Sequence, residues 1–276
     1  MKYQRAMLGS LAVAASATAQ EAMYTQAATM PGPGNVILRE QIHYWRYGSD
    51  PVAGTSGKDK YELENTINIG LDRGLSLLLD VPIAITRATA PGVGASWDHG
   101  VEDIHAMFKY RVYMDNPGGV DTTRIAVMGG AAFASGDDHD FSSQSVNPMV
   151  GAVYTTVSGR HGFNQDFIYR FNTGGTPGEN DGGDGPDDAL FFNTAYLYRI
   201  FPSSYTADSN GAWYVTAEMN GLYETNGDVE LRWSPGLMYE GREFGFEVMA
   251  QFPLYHDLNE RAEVDFAVGI GVRFLF

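Results

Sequence analysis

Cysteine is missing from all 276 residues, so the chain has no disulfide framework, no thiol nucleophile and no thiolate metal site. The absence is neutral about compartment, because an oxidising periplasm permits disulfides without requiring them. Beyond the N-terminus no apolar run approaches the roughly 18–20 residues that a spanning helix needs. Basic residues are scarce, 18 against 34 acids. That balance excludes nucleic acid as a natural partner, since its recognition calls for a basic surface. Glycine-rich phosphate loops and clustered Cys/His metal sets are absent too, so no cofactor is expected. The histidines are His43, His99, His105, His139, His161 and His256. None has a serine and an orienting acid placed to form a nucleophile, base and orienter. His139 and Ser142 merely share a polar loop. The expectation is therefore a protein that is not an enzyme, with an outer-membrane lipid-modifying activity as the remote alternative.

What is present is most legible at the C-terminus. Residues 263–276 read E-V-D-F-A-V-G-I-G-V-R-F-L-F. Val264, Phe266, Val268, Ile270, Val272, Phe274 and Phe276 fall on one parity. Glu263, Asp265, Ala267, Gly269, Gly271, Arg273 and Leu275 fall on the other. Side chains alternate across a strand, so one face is apolar and the other charged or small. The stretch resembles the closing strand of bacterial outer-membrane barrels, which end in Phe after alternating apolar residues. The opposite register would turn Arg273 into lipid at a cost of roughly 2–4 kcal/mol. The even face is therefore expected to look outward to outer-membrane lipid. Phe266, Ile270, Phe274 and Phe276 would close the barrel and engage the barrel-assembly machinery.

The N-terminus fits a Gram-negative export route. Residues 1–19 read as a cleaved signal peptide, with Lys2 and Arg5 ahead of a short apolar middle and Ala17-Thr18-Ala19 as a small-x-small site. Residues 20–34, ending in Pro31-Gly32-Pro33-Gly34, read as a flexible periplasmic leader that could also tuck into a lumen. From residue 35 to 276, alternating segments are separated by turn-rich breaks. They lie at 36–47, 60–71, 75–85, 104–113, 123–133, 149–157, 163–171, 190–200, 213–223, 229–239, 244–252 and the final strand. The fold class expected is all-β, a transmembrane up-and-down antiparallel barrel of about 12 strands with both ends periplasmic. Short breaks such as 72–74 and 158–162 alternate with long ones at 48–59, 87–102, 134–147 and 174–188. Tyr44, Trp45, Tyr47, Tyr113, Tyr196, Tyr198, Trp213, Tyr214 and Tyr239 lie near strand ends, as interfacial girdles would have them.

Several segments in order resemble one family, the outer-membrane transporters named for the meta-cleavage pathway of phenol degradation. They are Gly100-Val101-Glu102-Asp103 with Phe108-Lys109-Tyr110-Arg111, Asp80-Val81-Pro82, Phe167-Ile168-Tyr169-Arg170-Phe171-Asn172, Ser234-Pro235-Gly236-Leu237 and Gln251-Phe252-Pro253-Leu254. One departure is Ala134-Ser135-Gly136-Asp137, where the family pattern has a Pro-Thr-Gly-like turn. The resemblance implies an outer-membrane barrel, porin-like, that moves small hydrophobic or aromatic compounds, and it carries over no catalytic residue.

The inward parity collects charges of both signs. Glu62, Glu64, Asp80, His105, Lys109, Arg111, Asp166, Arg170, Glu218, Arg232, Glu247 and Arg273 are the candidate lumen-lining set, with Arg199, Glu230 and Asp265 alongside. They could form a polar selectivity path. They could equally pair across the lumen and plug it, since buried charges persist only when paired and hydrogen-bonded. Pro82, Pro235 and Pro253 interrupt strands that have no free edge to hide a missing donor. The simple reading is a shaping bulge, and the sharper one is a lateral opening at Pro82 for an apolar solute. Asp181, Asp184, Asp187 and Asp188 crowd one loop as weak calcium candidates, without the spacing or closing Glu of an EF-hand.

Overall fold

The computed structural model of the chain describes residues 21–52, 54–92, 94–137, 141–174, 183, 185–206 and 209–276. The sequence-expected signal peptide lies outside them. Thirteen strands run in order: β1 (Val36–Tyr47), β2 (Gly57–Asp72), β3 (Leu75–Ala90), β4 (Gly94–Val101), β5 (Ile104–Gly118), β6 (Asp121–Phe133) and β7 (Asn147–Ser158). There follow β8 (His161–Arg170), β9 (Ala189–Phe201), β10 (Gly211–Glu224), β11 (Val229–Gly241), β12 (Phe244–Asp257) and β13 (Val264–Leu275). Neighbours pair antiparallel, and β13 returns to β1 in a register running from Ile37 opposite Leu275 to Arg46 opposite Phe266. With β2 paired to β3 as well, twelve strands form a closed ring. Closure leaves no unpaired edge in the wall, which a structure in hydrocarbon requires. Both chain ends share one rim, where Val36 and Phe276 exchange N–H···O bonds of 3.0 and 2.9 Å.

The two parities of each strand have opposite fates. Outward, Ile270 is 52% exposed, Phe108 51% and Phe167 50%, while inward Lys109 and Asp166 are both 0% exposed. That inversion of a soluble core is the signature of a wall solvated by lipid outside and by polar groups within. Gln165 is a rare polar residue on the outer face. Its amide donates to the Asn193 carbonyl at 2.7 Å and accepts from the Thr194 hydroxyl at 2.6 Å, so it presents little free polarity. Gly119 and Gly159 take φ of +60° in tight turns on the rim that carries the chain ends, a conformation that favours glycine.

The thirteenth strand escaped the sequence reading. β3 pairs with β5 only from Leu75 to Asp80, then with β4 from Ile83 to Ala90. Pro82 stands at the changeover, where its missing N–H costs the ladder least, and its carbonyl accepts from Glu102 N–H at 2.9 Å. β4 is thus a hairpin extension above the ring.

Three expectations are corrected. Asp265 does not face inward: the β1–β13 register shifts at Tyr47, which pairs with Val264, so Val264 is buried and Asp265 exposed. Such a bulge re-aims one side chain of a strand. Trp45, Tyr47 and Tyr214 are not girdle residues, because they fall on the inward parity, and Tyr47 and Tyr214 are buried. Tyr44, Tyr61 and Phe266 do cluster on the outside, with ring centroids 5.1 and 5.7 Å apart from Tyr44. Lastly, residues 21–34 are not a leader without fixed structure. Ala22, Met23, Thr25, Ala27, Ala28 and Thr29 are all buried inside the barrel.

The segment passes the rim against β2. Gly34 N–H donates to Gly70 O at 2.8 Å and Gly70 N–H to Asn35 O at 2.9 Å. A Cβ at Gly70 would overlap the Gly32 carbonyl, so only glycine allows this close passage. Gly70→Val should therefore unseat the segment while the wall still folds. The check is chymotryptic cleavage at Tyr24, expected fast in the variant and slow in the parent, alongside the heat-dependent gel mobility of an intact barrel.

Candidate functional site in the barrel lumen

The inner faces of β1, β12 and β13 meet at one buried ion pair. Arg39 donates from Nε to Glu247 Oε1 at 2.8 Å and from Nη2 to Oε2 at 2.9 Å. Gln41 adds a bond to Oε1 at 3.1 Å, and Arg273 Nη2 lies 3.7 Å from Oε2. Such a two-pronged, fully satisfied carboxylate is the arrangement under which a buried charge persists. The small residues of β13 make the room: a Cβ at Gly271 would strike Glu247, and one at Gly269 would strike Met23 and His43.

The N-terminal segment supplies what the remaining inward acids need. Glu218 accepts from the N–H groups of Met23 at 2.9 Å and Tyr24 at 3.2 Å, and from the Thr25 hydroxyl at 2.5 Å. Asp166 accepts from Gln26 N–H at 2.7 Å and from Asn193 Nδ2 at 2.9 Å. Lys109 Nζ reaches the Gln26 side chain at 3.0 Å and the Ala27 carbonyl at 2.9 Å. Ala28 N–H donates to the Thr155 hydroxyl at 2.8 Å, and Arg39 Nη2 to Ala22 O at 2.8 Å. Arg273 Nη2 donates to Glu21 O at 3.1 Å. A backbone with no sheet partner is thereby bonded to wall side chains. Apolar packing joins in, with Ala28 against Leu78, Met107 and Val153, and Ala22 against Leu197 and Tyr214.

The other sequence candidates lie round this segment. Glu62 pairs with Lys60 at 2.9 Å, and Glu64 lies 3.6 Å from His43 Nε2. Asp80 is the cross-strand partner of His105. Arg170 stacks 5.6 Å over Phe191, and Arg232 5.4 Å over Trp45. Arg111 donates to the Arg73 carbonyl at the rim of the chain ends, apart from the central network. Sequence reading missed Arg39, Gln41, Asn193, Asn220, Ser234 and Gln251. The last two donate to Asn220 Oδ1 at 2.8 and 3.0 Å. Their inward parity was available; Gln41, Asn193, Asn220, Ser234 and Gln251 are uncharged and gave no separate signal, whereas Arg39 carries a charge on that parity and was readable. Of the calcium candidates, Asp181 and Asp184 lie outside the described residues. Asp188 accepts from Asn172 N–H and Tyr169 Oη, both at 2.9 Å.

At the rim opposite the chain ends, two loops are tied to the wall through buried acids. Arg261 reaches in from residues 258–263, bonding Glu224 at 2.8 Å and Glu230 at 3.0 Å. Burial alone would lower its affinity for a proton, but the two carboxylates raise it above the usual guanidinium range. Beside β4, Asp103 gathers the loop at 134–146. It accepts N–H bonds from Ser135, Gly136 and Ser143 at 3.1, 3.0 and 2.9 Å, and the Ser143 hydroxyl at 2.6 Å. Phe141 of that loop is buried against Gly100. Burial pushes the Asp103 carboxyl up, but the Ser143 and Gly136 bonds outweigh it and hold the group below the ordinary carboxylate range.

Two outcomes follow. Glu247→Ala strands Arg39 in the lumen and should cost about 3–5 kcal/mol, whereas Arg39→Met with Glu247→Leu should recover most of that loss. Urea unfolding of the refolded barrel measures both. Asp103 binds its proton more weakly folded than unfolded, so its contribution is present above the unfolded carboxylate range and vanishes as pH falls through the folded value. Acidification should loosen the 134–146 loop in the parent, and Asp103→Asn should be loose at every pH, as read by proteolysis within the loop.

No family model matches the chain, and no curated protein is recognisably similar to it. Solved structures do share the fold. The COG4313 outer membrane channel from Pseudomonas putida F1 is similar with a TM-score of 0.60 at 11% identity, over 93% of this chain and 100% of that one. The beta domain of the Bordetella autotransporter Brka is similar with a TM-score of 0.50 at 11% identity, over 88% and 100%. At such identity these likenesses concern the barrel alone.

Proposed function

We propose that the chain resides in the bacterial outer membrane as a passive channel or transporter for small hydrophobic or aromatic molecules. The observation that carries this reading is a wall with a lipid-suited outer face around a lumen whose filling is a separable chain segment. Residues 21–34 hold their place by hydrogen bonds and side-chain packing, not by strand pairing, so they can be withdrawn without opening the ladder. The similar barrel from P. putida, an outer membrane channel, agrees with it. The substrate half rests on the resemblance to the phenol-degradation transporters. Lipids are the partners of the outer face, the assembly machinery takes the C-terminal strand, and no catalysis is involved.

One observation favours a second reading, a plugged structural barrel: the lumen acids Glu218 and Asp166 are already satisfied by the segment. A third element bears on the route. If solutes leave sideways, the seam is at Pro82, where β3 changes partner from β5 to β4.

Conductance in planar bilayers and uptake of toluene into liposomes separate these readings. Removal of residues 21–34 should produce discrete current steps, and the parent should admit toluene. Pro82→Val should slow uptake if exit is lateral and leave it unchanged if not. Silence of both parent and truncated chain in both assays would establish the structural barrel.

A further inference from the structure

Between the N-terminal segment and the inner face of β1 and β2 lies a cavity of about 210 Å³. For scale, an apolar cavity of roughly 150 Å³ holds benzene. One side is apolar, formed by Ile37 and Leu78 with Met23. The other side is polar and lopsided. Its only cationic side chain, Arg39, has already committed Nε and Nη2 to Glu247 and Ala22. Tyr24 directs its hydroxyl to His43 Nδ1 at 3.4 Å. Two carboxylates remain on the lining, Glu21 and Glu64; Arg273 Nη1 lies 3.8 Å from the first and His43 Nε2 3.6 Å from the second, beyond hydrogen-bond reach. Asn68 is 6% exposed, and its Oδ1 has no hydrogen-bond partner. A buried acceptor left without a donor is costly, and such an orphan on a cavity wall marks a place for a donating guest.

We propose that this cavity is a binding site for a small aromatic cation, a single ring bearing a protonated amine. The ring lies against Ile37 and Leu78, and the ammonium donates to Glu64 and Asn68 Oδ1. Three N–H donors on one compact cation match the acceptors that Glu64 and Asn68 Oδ1 present on the lining. An aromatic carboxylate of equal size would face Glu21 and Glu64 and meet an Arg39 already paired with Glu247. As a binding site this stands on the cavity alone, while the claim that the guest is cargo rests on the channel reading above.

The test is isothermal titration of the full chain in detergent micelles with benzylammonium, benzyl alcohol and benzoate, against empty micelles. Benzylammonium should bind, more tightly than benzoate by about tenfold or more, as expected for a charge-assisted bond gained. Glu64→Gln and Asn68→Leu should each weaken it by about tenfold, with gel mobility confirming a folded barrel. Equal binding of benzoate, no heat from any probe, or full affinity in folded Glu64→Gln would overturn the proposal. Liposome uptake separates the two claims. Binding without uptake removes the cargo role and keeps the site, and toluene uptake without benzylammonium binding removes the site and keeps the channel.

Discussion

The constraint from which the architecture follows is that no backbone N–H or carbonyl can be left unpaired in hydrocarbon. A ring of strands meets it only if the first and last members find each other, and here they do so along nearly their whole length, from Ile37 to Tyr47. Once closed, the wall fixes the fate of every side chain by parity. Period-two alternation then sorts the chain into an apolar exterior and a charged interior without further instruction. The bulge at Asp265 and the partner change at Pro82 are two places where the sorting is locally overridden.

Closure also creates the interior problem. Acids and bases gathered inside a narrow wall lose water, and each needs a partner of opposite sign or a hydrogen bond. Arg39 and Glu247 solve this between strands. Glu218 and Asp166 have no cation in contact and take backbone N–H groups from residues 23–26 instead. The segment and the lumen acids are thus complementary: a chain with unpaired donors fills a tube with unpaired acceptors. Around Glu64 and Asn68 the match is incomplete, and the leftover polarity is where a guest has most to gain.

The ring was legible in the sequence because alternation is a local signal. All twelve ring strands coincide with alternating segments, and the C-terminal strand names its outer face by residue type alone. The inward charges could be read the same way. β4 could not, since Asp98 and His99 put polar groups on both faces. The seat of residues 21–34 was beyond local reading for a different reason: Met23 bonds to Glu218, 195 positions away. Its trace in the sequence was indirect. Ala267, Gly269 and Gly271 are small because something else occupies their space, and small residues alone do not say what.

The dispersal of the segment's partners has a consequence for how the molecule is made. Its contacts come from β1, β5, β7, β8, β10 and β13, strands that share no single hairpin. No half-built wall presents them together. The interior can therefore be completed only after the seam has zipped, and biogenesis divides into two stages with different determinants. The outer parity suits the wall to lipid, and the inner polar groups hold the segment once the finished ring brings them together.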